Sequence, residues 1–323
     1  MAFKDILGQT QVVGWLKNAI RQERLATAYL FTGIDGIGKS TVALNFAKVL
    51  NCLSLREGDA CEKCLNCKKI NAGTHPDVLF IQPEGQSIKI EQIRKVQHSL
   101  SFKPASARKR VVIINDADLM TAEAANAFLK TLEEPPLNTI LILIAQHKSQ
   151  LLPTIISRCQ VVIFRPLPLK IIQEVLEKRG IFPQKAFFLA HLAEGSLGKA
   201  LAFLEREINL SLIVHWIKKE ISINSLLNSV ETIAKNLEKN EDFLNFLEFF
   251  QGVWRDLLLF KKGCKEFLIN ENFISEYANL AQDYTEKELQ KKLKTIEEAR
   301  KLLKQNVQKK LILEHLFWGK GSL

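Results

Sequence analysis

A short glycine-rich stretch between an apolar run and a helical run constrains the fold of this chain more than any other feature. Residues 33–41, GIDGIGKST, fit the pattern G-x-x-x-x-G-K-[ST] of a phosphate-binding loop, or P-loop. The preceding run AYLFT predicts a strand and the following run TVALNFAKVL predicts a helix. In that context the backbone N–H groups curl around phosphates at a helix N-terminus. We therefore expect ATP or GTP to bind here, with ligands Gly33, Gly36, Gly38, Lys39, Ser40 and Thr41.

A second apolar run, ending at Asn115, bears on whether the bound nucleotide is hydrolysed. The residues RVVIIN predict a buried strand. P-loop enzymes place an acidic residue at the end of such a strand to hold the magnesium shell. Asn115 occupies that position and carries no charge, although its amide can bond a metal-bound water. Asp116 is the best remaining catalytic acid. We expect ATP or ADP to be held with Mg²⁺, and Asn115 to support the metal less well than an aspartate would.

Four of the six cysteines form a cluster with the spacing C-x8-C-x2-C-x2-C. Four thiolates suit a tetrahedral zinc ion and leave no open position for catalysis, so the predicted site is structural. An iron-sulfur cluster also takes four thiolates and is the alternative. Disulfides are disfavoured if the chain is cytosolic. The predicted metal ligands are Cys52, Cys61, Cys64 and Cys67.

The distribution of strand and helix patterns predicts an α/β fold followed by an all-α region. β-rich runs alternate with helical stretches up to about residue 165, which is typical of a parallel sheet with crossover helices. Beyond Pro166 and Pro168 the pattern is helical. We expect a nucleotide-binding domain over 1–165 with the cysteine module at about 50–78, a small helical block over 166–205, and a longer helical block over 206–323.

Composition narrows the class of protein. The 323 residues are 47% hydrophobic and 25% charged, as in ordinary globular proteins. No apolar run reaches the roughly 20 residues that a membrane span needs, and the start lacks a secretory signal, so we expect a cytoplasmic protein without a membrane partner. The net charge is +10, and most of the basic excess precedes Arg206. This excess of basic residues is compatible with a polyanionic partner such as DNA.

Taken together, these motifs resemble one family. The P-loop, the four-cysteine insert after its helix, NAFLKTLEEPP at 126–136 and SRC at 157–159 are similar to the bacterial DNA polymerase III clamp-loader ATPases of the AAA+ class. The stretch LLKQNVQKKLILEHLF resembles the last collar helix of these proteins, so the resemblance covers nearly the whole chain. It implies an AAA+ P-loop domain, a helical lid over 166–205, and a helical collar over 206–323 that mediates oligomerisation.

Within that family the chain resembles the delta-prime subunits more than the gamma/tau motors. IINDAD replaces the acidic end of the motor strand, and the segment QHKSQLLPT lacks the motor's paired threonines. Gly198 stands where the motor carries its sensor arginine, and Lys199 beside it is the candidate substitute in nucleotide binding. These departures imply a subunit that binds nucleotide and hydrolyses it poorly.

The resemblance also implies roles for two arginines and a set of partners. Arg158 of SRC would act in trans as an arginine finger in a neighbouring subunit's site. Arg94 would contact the DNA backbone. The partners would be gamma/tau and delta subunits in a hetero-pentamer, with the sliding clamp and primer-template DNA reached through the complex. Glu133 and Glu134 are interpreted as a solvated helix end.

Two other functions fit parts of the sequence. The chain would be a gamma/tau-type ATPase motor if its P-loop hydrolyses ATP unaided. Alternatively, it would be a zinc-dependent DNA-binding module with a vestigial P-loop.

Overall fold

The fold was determined as a computed structural model, and the structure describes residues 2–205, 230–231, 233–235, 237, 240–268 and 274–318. The chain divides into two compact units, residues 1–167 and 168–323. The predicted division between lid and collar at 205/206 stays a prediction, since residues 206–229 lie outside the described part. None of the described helices is both long and apolar enough to cross a bilayer.

The first unit is built on a five-stranded sheet in which every strand pairing is parallel. The strand order is β2-β3-β4-β1-β5, so β4 separates β1 from β3. This arrangement confirms the predicted α/β domain. The strands are β1 (Ala28–Thr32), β2 (Val78–Ile81), β3 (Arg110–Ile114), β4 (Thr139–Ala145) and β5 (Gln160–Ile163).

Helices cover both faces of this sheet, because the central strands carry apolar side chains on both faces. Along β1, Tyr29 and Phe31 join a core with the first three helices, and Ala28 and Leu30 join a second core with the next three. The helices are α1 (Thr10–Arg21), α2 (Lys39–Asn51), α3 (Leu65–Asn71), α4 (Ile90–Ser101), α5 (Ala122–Glu133) and α6 (Pro153–Ile156). Short 3-10 turns span Phe3–Asp5, Ala117–Leu119 and Lys148–Gln150.

The second unit is helical throughout its described residues, as the sequence predicts. Aromatic side chains fill much of its interior: Phe188 and Phe249 meet edge to face with ring centroids 4.5 Å apart, and Trp254 is fully buried. The helices are α7 (Leu169–Lys178), α8 (Pro183–Leu192), α9 (Leu197–Glu205), α10 (Asn240–Lys261), α11 (Ile274–Asp283), α12 (Glu286–Lys304) and α13 (Lys309–Trp318), with a 3-10 turn at Lys265–Phe267.

Candidate functional site

The P-loop lies at the carboxyl end of β1 and runs directly into α2. Gly33 has φ +147°, and a Cβ there would lie 2.6 Å from the Phe164 carbonyl oxygen and 2.7 Å from Ile37 Cδ1. Gly36 and Gly38 also have positive φ, 72° and 97°, and Gly38 caps the start of α2. The glycines of the motif are therefore required by backbone conformation and, at Gly33, by space.

The Lys39 side chain lies within the curve of the loop. Its Nζ donates hydrogen bonds to the carbonyl oxygens of Gly33 at 2.6 Å and Ile34 at 2.8 Å. Burial lowers the pKa of Lys39, and the charges of three nearby aspartates oppose this shift. The buried ammonium thus has a strongly acidic surrounding, formed by Asp35, Asp116 and Asp118.

A chain of hydrogen bonds links the P-loop to the end of β3. Ser40 Oγ donates to Asn115 Oδ1 at 2.7 Å, and Asn115 Nδ2 donates to Asp116 Oδ2 at 2.8 Å. Because β4 lies between β1 and β3, and strands are about 4.8 Å apart, these two side chains bridge about 10 Å of sheet edge. Asn115 is thus in contact with the residue that would face magnesium, and it offers an amide there.

The two aspartates after β3 differ in their surroundings. Asp116 has a left-handed backbone, φ +52°. Burial and the neighbouring charges of Asp35 and Asp118 raise its pKa, against the effect of Lys39 and the bond from Asn115. Asp118 instead accepts a hydrogen bond at 3.1 Å from the backbone N–H of Gln146, directly after β4. Sequence spacing gave no signal for this link between the ends of β3 and β4.

Thr41 lies in the first turn of α2, where its carbonyl oxygen accepts a hydrogen bond from Asn45 at 2.8 Å. The other predicted nucleotide ligand, Lys199, belongs to α9 in the second unit. Its Nζ lies 3.8 Å from Asp242 Oδ1, at the start of α10. The structure therefore brings together the P-loop residues, Asn115 and Asp116. The contact described for Lys199 is with Asp242, a residue of the same unit.

The four clustered cysteines converge at the other end of α2. Their four Sγ atoms all lie within 4.8 Å of one another, with three side chains buried and Cys64 half-buried. Cys52 Sγ and Cys64 Sγ are 4.0 Å apart, too far for a disulfide, whose sulfurs are about 2.05 Å apart. Four zinc–sulfur bonds of about 2.3 Å in a tetrahedron separate the sulfurs by about 3.8 Å. The cluster is therefore compatible with one tetrahedral zinc ion.

Backbone N–H groups point at these sulfurs. Those of Cys61, Cys64 and Cys67 lie 3.4, 3.3 and 3.5 Å from the sulfurs of Cys52, Cys61 and Cys64 respectively. Hydrogen bonds from the N–H groups of Lys63 and Cys64 lower the pKa of Cys61 to about 6. Burial opposes ionisation at Cys64, but N–H groups lower its pKa as well. These two thiols are thus prepared to be the thiolates that metal binding needs.

The other two thiols behave differently. Burial raises the pKa of both Cys52 and Cys67. Such thiols are poor acids unless a cation compensates the buried charge. A metal ion would supply that compensation for all four donors at once.

Polar contacts fasten the cysteine insert to the rest of the unit. Asp59 accepts hydrogen bonds from the backbone N–H groups of Phe3 at 3.1 Å and Lys4 at 2.9 Å. On α2, the buried Lys48 donates to Glu62 at 2.6 Å and to Asn71 at 2.9 Å. These anchors are not predictable from the sequence, since nothing in the local pattern distinguishes their residues from solvated charges.

Arg158 lies on an exposed turn after α6. It is distant in sequence from the chain's own P-loop. Its Nη2 lies 2.6 Å from Glu133 Oε1 at the end of α5, and its Nη1 donates to the Thr154 carbonyl at 3.0 Å. The sequence predicts a solvated helix end at Glu133; the residue is half exposed, and it is also the ion-pair partner of Arg158.

Arg94 lies on the exposed face of α4. With four other side chains it lines an open depression of 440 Å³. The charges there are mixed, because one of the lining residues is acidic. The other lining residues are Glu91, Lys95, His98 and Ser99.

Two family models and one relative identify the family of this chain. Residues 8–168 match the family model described as "DNA polymerase III, delta subunit", and residues 217–318 match "DNA polymerase III, delta subunit, C terminal". The chain is 35% identical over 318 residues to DNA polymerase III subunit delta' of Bacillus subtilis (strain 168), covering 95% of this chain and 94% of that protein.

Two further similarities were found. DNA polymerase III subunit tau of the same organism is 29% identical, with 80% of this chain and 50% of tau covered. Among solved structures, a gamma subunit-related protein of DNA polymerase III from Thermotoga maritima is 23% identical, covers 94% of this chain and 97% of its own, and has a TM-score of 0.43.

Proposed function

Because this chain belongs to the delta-prime family of DNA polymerase III clamp-loader subunits, we propose that it holds a nucleotide and supplies Arg158 to a neighbouring subunit's ATPase site. The observation that carries the nucleotide-holding part of the proposal is the contact between Ser40 and Asn115. It joins an intact P-loop to a strand end that offers an amide where a motor needs a carboxylate. The chain would then hold its own nucleotide and promote ATP hydrolysis in the neighbouring subunit, while the sliding clamp is loaded on primed DNA in replication.

At the chain's own P-loop, the division of roles follows from the side chains. The glycines let backbone N–H groups reach phosphate oxygens, and Lys39 would exchange its two carbonyl acceptors for the outer phosphates of ATP or ADP. Ser40 and Asn115 would hold Mg²⁺ and its waters, with Asp116 as the candidate catalytic acid. Bound Mg²⁺ would neutralise phosphate charge. Without a carboxylate at 115 that support is weaker, so we expect tight binding and slow turnover.

At the neighbouring site, Arg158 would act through its charge. An arginine finger stabilises the negative charge that develops on the transferred phosphoryl group, and it is worth about 10³ to 10⁵ in rate in well-studied systems. The exposed position of Arg158, on a turn fixed by α6, supports this role.

For the cysteine insert we propose one structural zinc ion held by Cys52, Cys61, Cys64 and Cys67. The short sulfur separations support a single ion over an iron-sulfur cluster, whose thiolates bind different irons and stand farther apart. The closed set of four thiolates would leave no position for a substrate.

The remaining assignments rest on family membership. We propose gamma/tau and delta subunits as partners in a hetero-pentamer, with clamp and primer-template DNA reached through that complex and Arg94 at the DNA backbone. The lid and collar would span 166–205 and 206–323, and Lys199 would approach the nucleotide from the lid. Match to the family over nearly the whole chain disfavours an isolated DNA-binding module.

A gamma/tau-type motor is the second candidate, because Lys39 and Ser40 are intact and tau is itself similar to this chain. Steady-state hydrolysis by the purified chain, abolished by Lys39→Ala, would favour it.

The test of the finger uses a complex reconstituted with gamma/tau, delta, clamp and primed DNA. Arg158→Ala is expected to lower the ATPase rate of the complex while nucleotide binding by the isolated chain stays unchanged. Arg165→Ala, at another exposed arginine of the first unit, is the matched control and should leave both unchanged. An unaltered ATPase rate with Arg158→Ala contradicts the assignment.

A further inference from the structure

The side chain of Arg158 is held by a carboxylate of its own chain. Arg158 Nη2 and Glu133 Oε1 are 2.6 Å apart, a short charge-assisted contact between the end of α5 and the turn after α6. Both side chains remain accessible, with 36% of Arg158 and 49% of Glu133 exposed. The pair is thus in close contact and open to competition from another charged group.

The second terminal nitrogen of the guanidinium is held on the other side. Nη1 donates to the carbonyl oxygen of Thr154 at 3.0 Å and lies 3.4 Å from Ser157 Oγ. These acceptors belong to α6 and its cap, whose first residue is Pro153. A guanidinium has five N–H donors, so these contacts orient it without using all of them. Only the contact to Glu133 is ionic.

The contact with Glu133 opposes the action of a finger. A carboxylate 2.6 Å from the guanidinium cancels most of its field and takes the donor that a phosphate oxygen would use. An exposed ion pair contributes little net stability, since water and salt screen it. Nucleotide phosphates carry more charge than one carboxylate, so they are strong competitors for Arg158.

From this competition we propose that Glu133 is a positioning residue that holds Arg158 when no nucleotide faces it and releases it to the phosphates of a neighbouring subunit. The proposal rests on the finger role given to Arg158 above. Release would accompany nucleotide docking, so Glu133 would act on nucleotide affinity at the neighbouring site and not on the chemical step.

The test is Glu133→Gln in the reconstituted complex, since glutamine keeps the shape and removes the charge. We expect the KM for ATP to fall about 1.5- to fivefold, the range that corresponds to an exposed ion pair, with kcat unchanged. The difference from the wild type should shrink as the salt concentration rises, because screening weakens the pair in the wild type. A lower kcat, a higher KM or no change would each overturn the proposal.

Two controls separate this effect from other causes. Glu134→Gln removes the same charge from the adjacent exposed residue and should leave KM unchanged. In an Arg158→Ala background, Glu133→Gln should have no effect on KM. If Arg158→Ala leaves the ATPase rate unaltered, the finger itself fails. If Arg158→Ala lowers the rate but Glu133→Gln leaves KM unaltered, only the role of Glu133 fails.

Discussion

The two ends of α2 carry two sites of opposite design. At the N-terminal end, the P-loop offers backbone N–H groups and exchangeable polar contacts, such as the bond from Ser40 to Asn115. At the C-terminal end, Cys52 follows the helix and three further cysteines close around it. A helix of 13 residues separates the two by about 20 Å. One site is therefore organised to exchange its ligand, and the other to keep it.

The difference has a structural cause. The middle of α2 is buried against the sheet through Val42, Ala43 and Phe46, so the sheet fixes the N-terminal end. The C-terminal end meets an insert with only one short helix, α3, and depends on the cysteines, Lys48 and Asp59 for its order. We therefore expect the loss of the proposed zinc ion to lower stability with little effect on nucleotide affinity. We expect the loss of a P-loop residue to lower nucleotide affinity with little effect on stability.

The largest effect is expected from loss of the proposed zinc ion. Structural zinc contributes about 10 kcal/mol or more to the folding of small zinc modules. Cys67→Ala, or a strong chelator, should therefore unfold the insert and lower the thermal midpoint of the chain. Metal analysis should find about one zinc per wild-type chain, as four thiolates require.

The same variant tests the independence of the two ends. Sites this far apart affect each other by only a few tenths of a kcal/mol, so nucleotide affinity should change by no more than about twofold. Cys264→Ala, outside the cluster, is the control for losing a thiol. A large loss of nucleotide affinity with Cys67→Ala would mean that the two ends of α2 are energetically coupled. Iron absorbance with little zinc would overturn the zinc assignment.

An intermediate effect is expected at the P-loop. Lys39→Ala removes a charged donor, and hydrogen bonds to charged groups contribute about 1.5 to 3 kcal/mol, so nucleotide affinity should fall about 10- to 100-fold. Titration calorimetry with ATP and ADP measures this change. Zinc content should stay at the wild-type value, and Lys130→Ala, at an exposed lysine of α5, should leave affinity unchanged. Loss of zinc from the Lys39→Ala variant would contradict the independence of the two ends of α2.

The smallest effect is expected from Asn115→Asp. It supplies the missing carboxylate beside Ser40, so hydrolysis by the isolated chain should rise. It also replaces the bond from Asn115 to Asp116 by two adjacent negative charges, which should lower the free energy of unfolding by about 1 kcal/mol. Phosphate release and chemical denaturation measure the two changes. Asn115→Ala should lower stability without raising hydrolysis, and equal rates for the two variants would contradict the role given to the charge.

Sequence alone was sufficient for features that local chemistry encodes. The positive φ angles of Gly36 and Gly38 follow from the motif, and the spacing of four cysteines predicts that their sulfurs converge. The alternation of strands and helices predicts a parallel sheet because crossover connections allow no simpler arrangement. In each case the residues concerned are close in the sequence, or they are of a type, such as clustered cysteines, that serves few other structural roles.

Contacts between distant residues could not be predicted in the same way. Asp118 bonds the Gln146 N–H, and Asp59 bonds the N–H groups of Phe3 and Lys4, across 28 and more than 50 residues. A charged residue in a loop has the same local pattern whether it is solvated or paired. Its partner depends on which segments the fold brings together.

Arg158 and Glu133 illustrate both sides of this limit. The SRC and LEEPP motifs identify the family and mark Arg158 by themselves, because the motif residues are adjacent in the sequence. The pairing of Arg158 with Glu133 across 25 positions was decided by the tertiary structure, which places the end of α5 beside the turn after α6. The sequence thus determined the chemical groups, and the packing of helices on the sheet determined which of them meet.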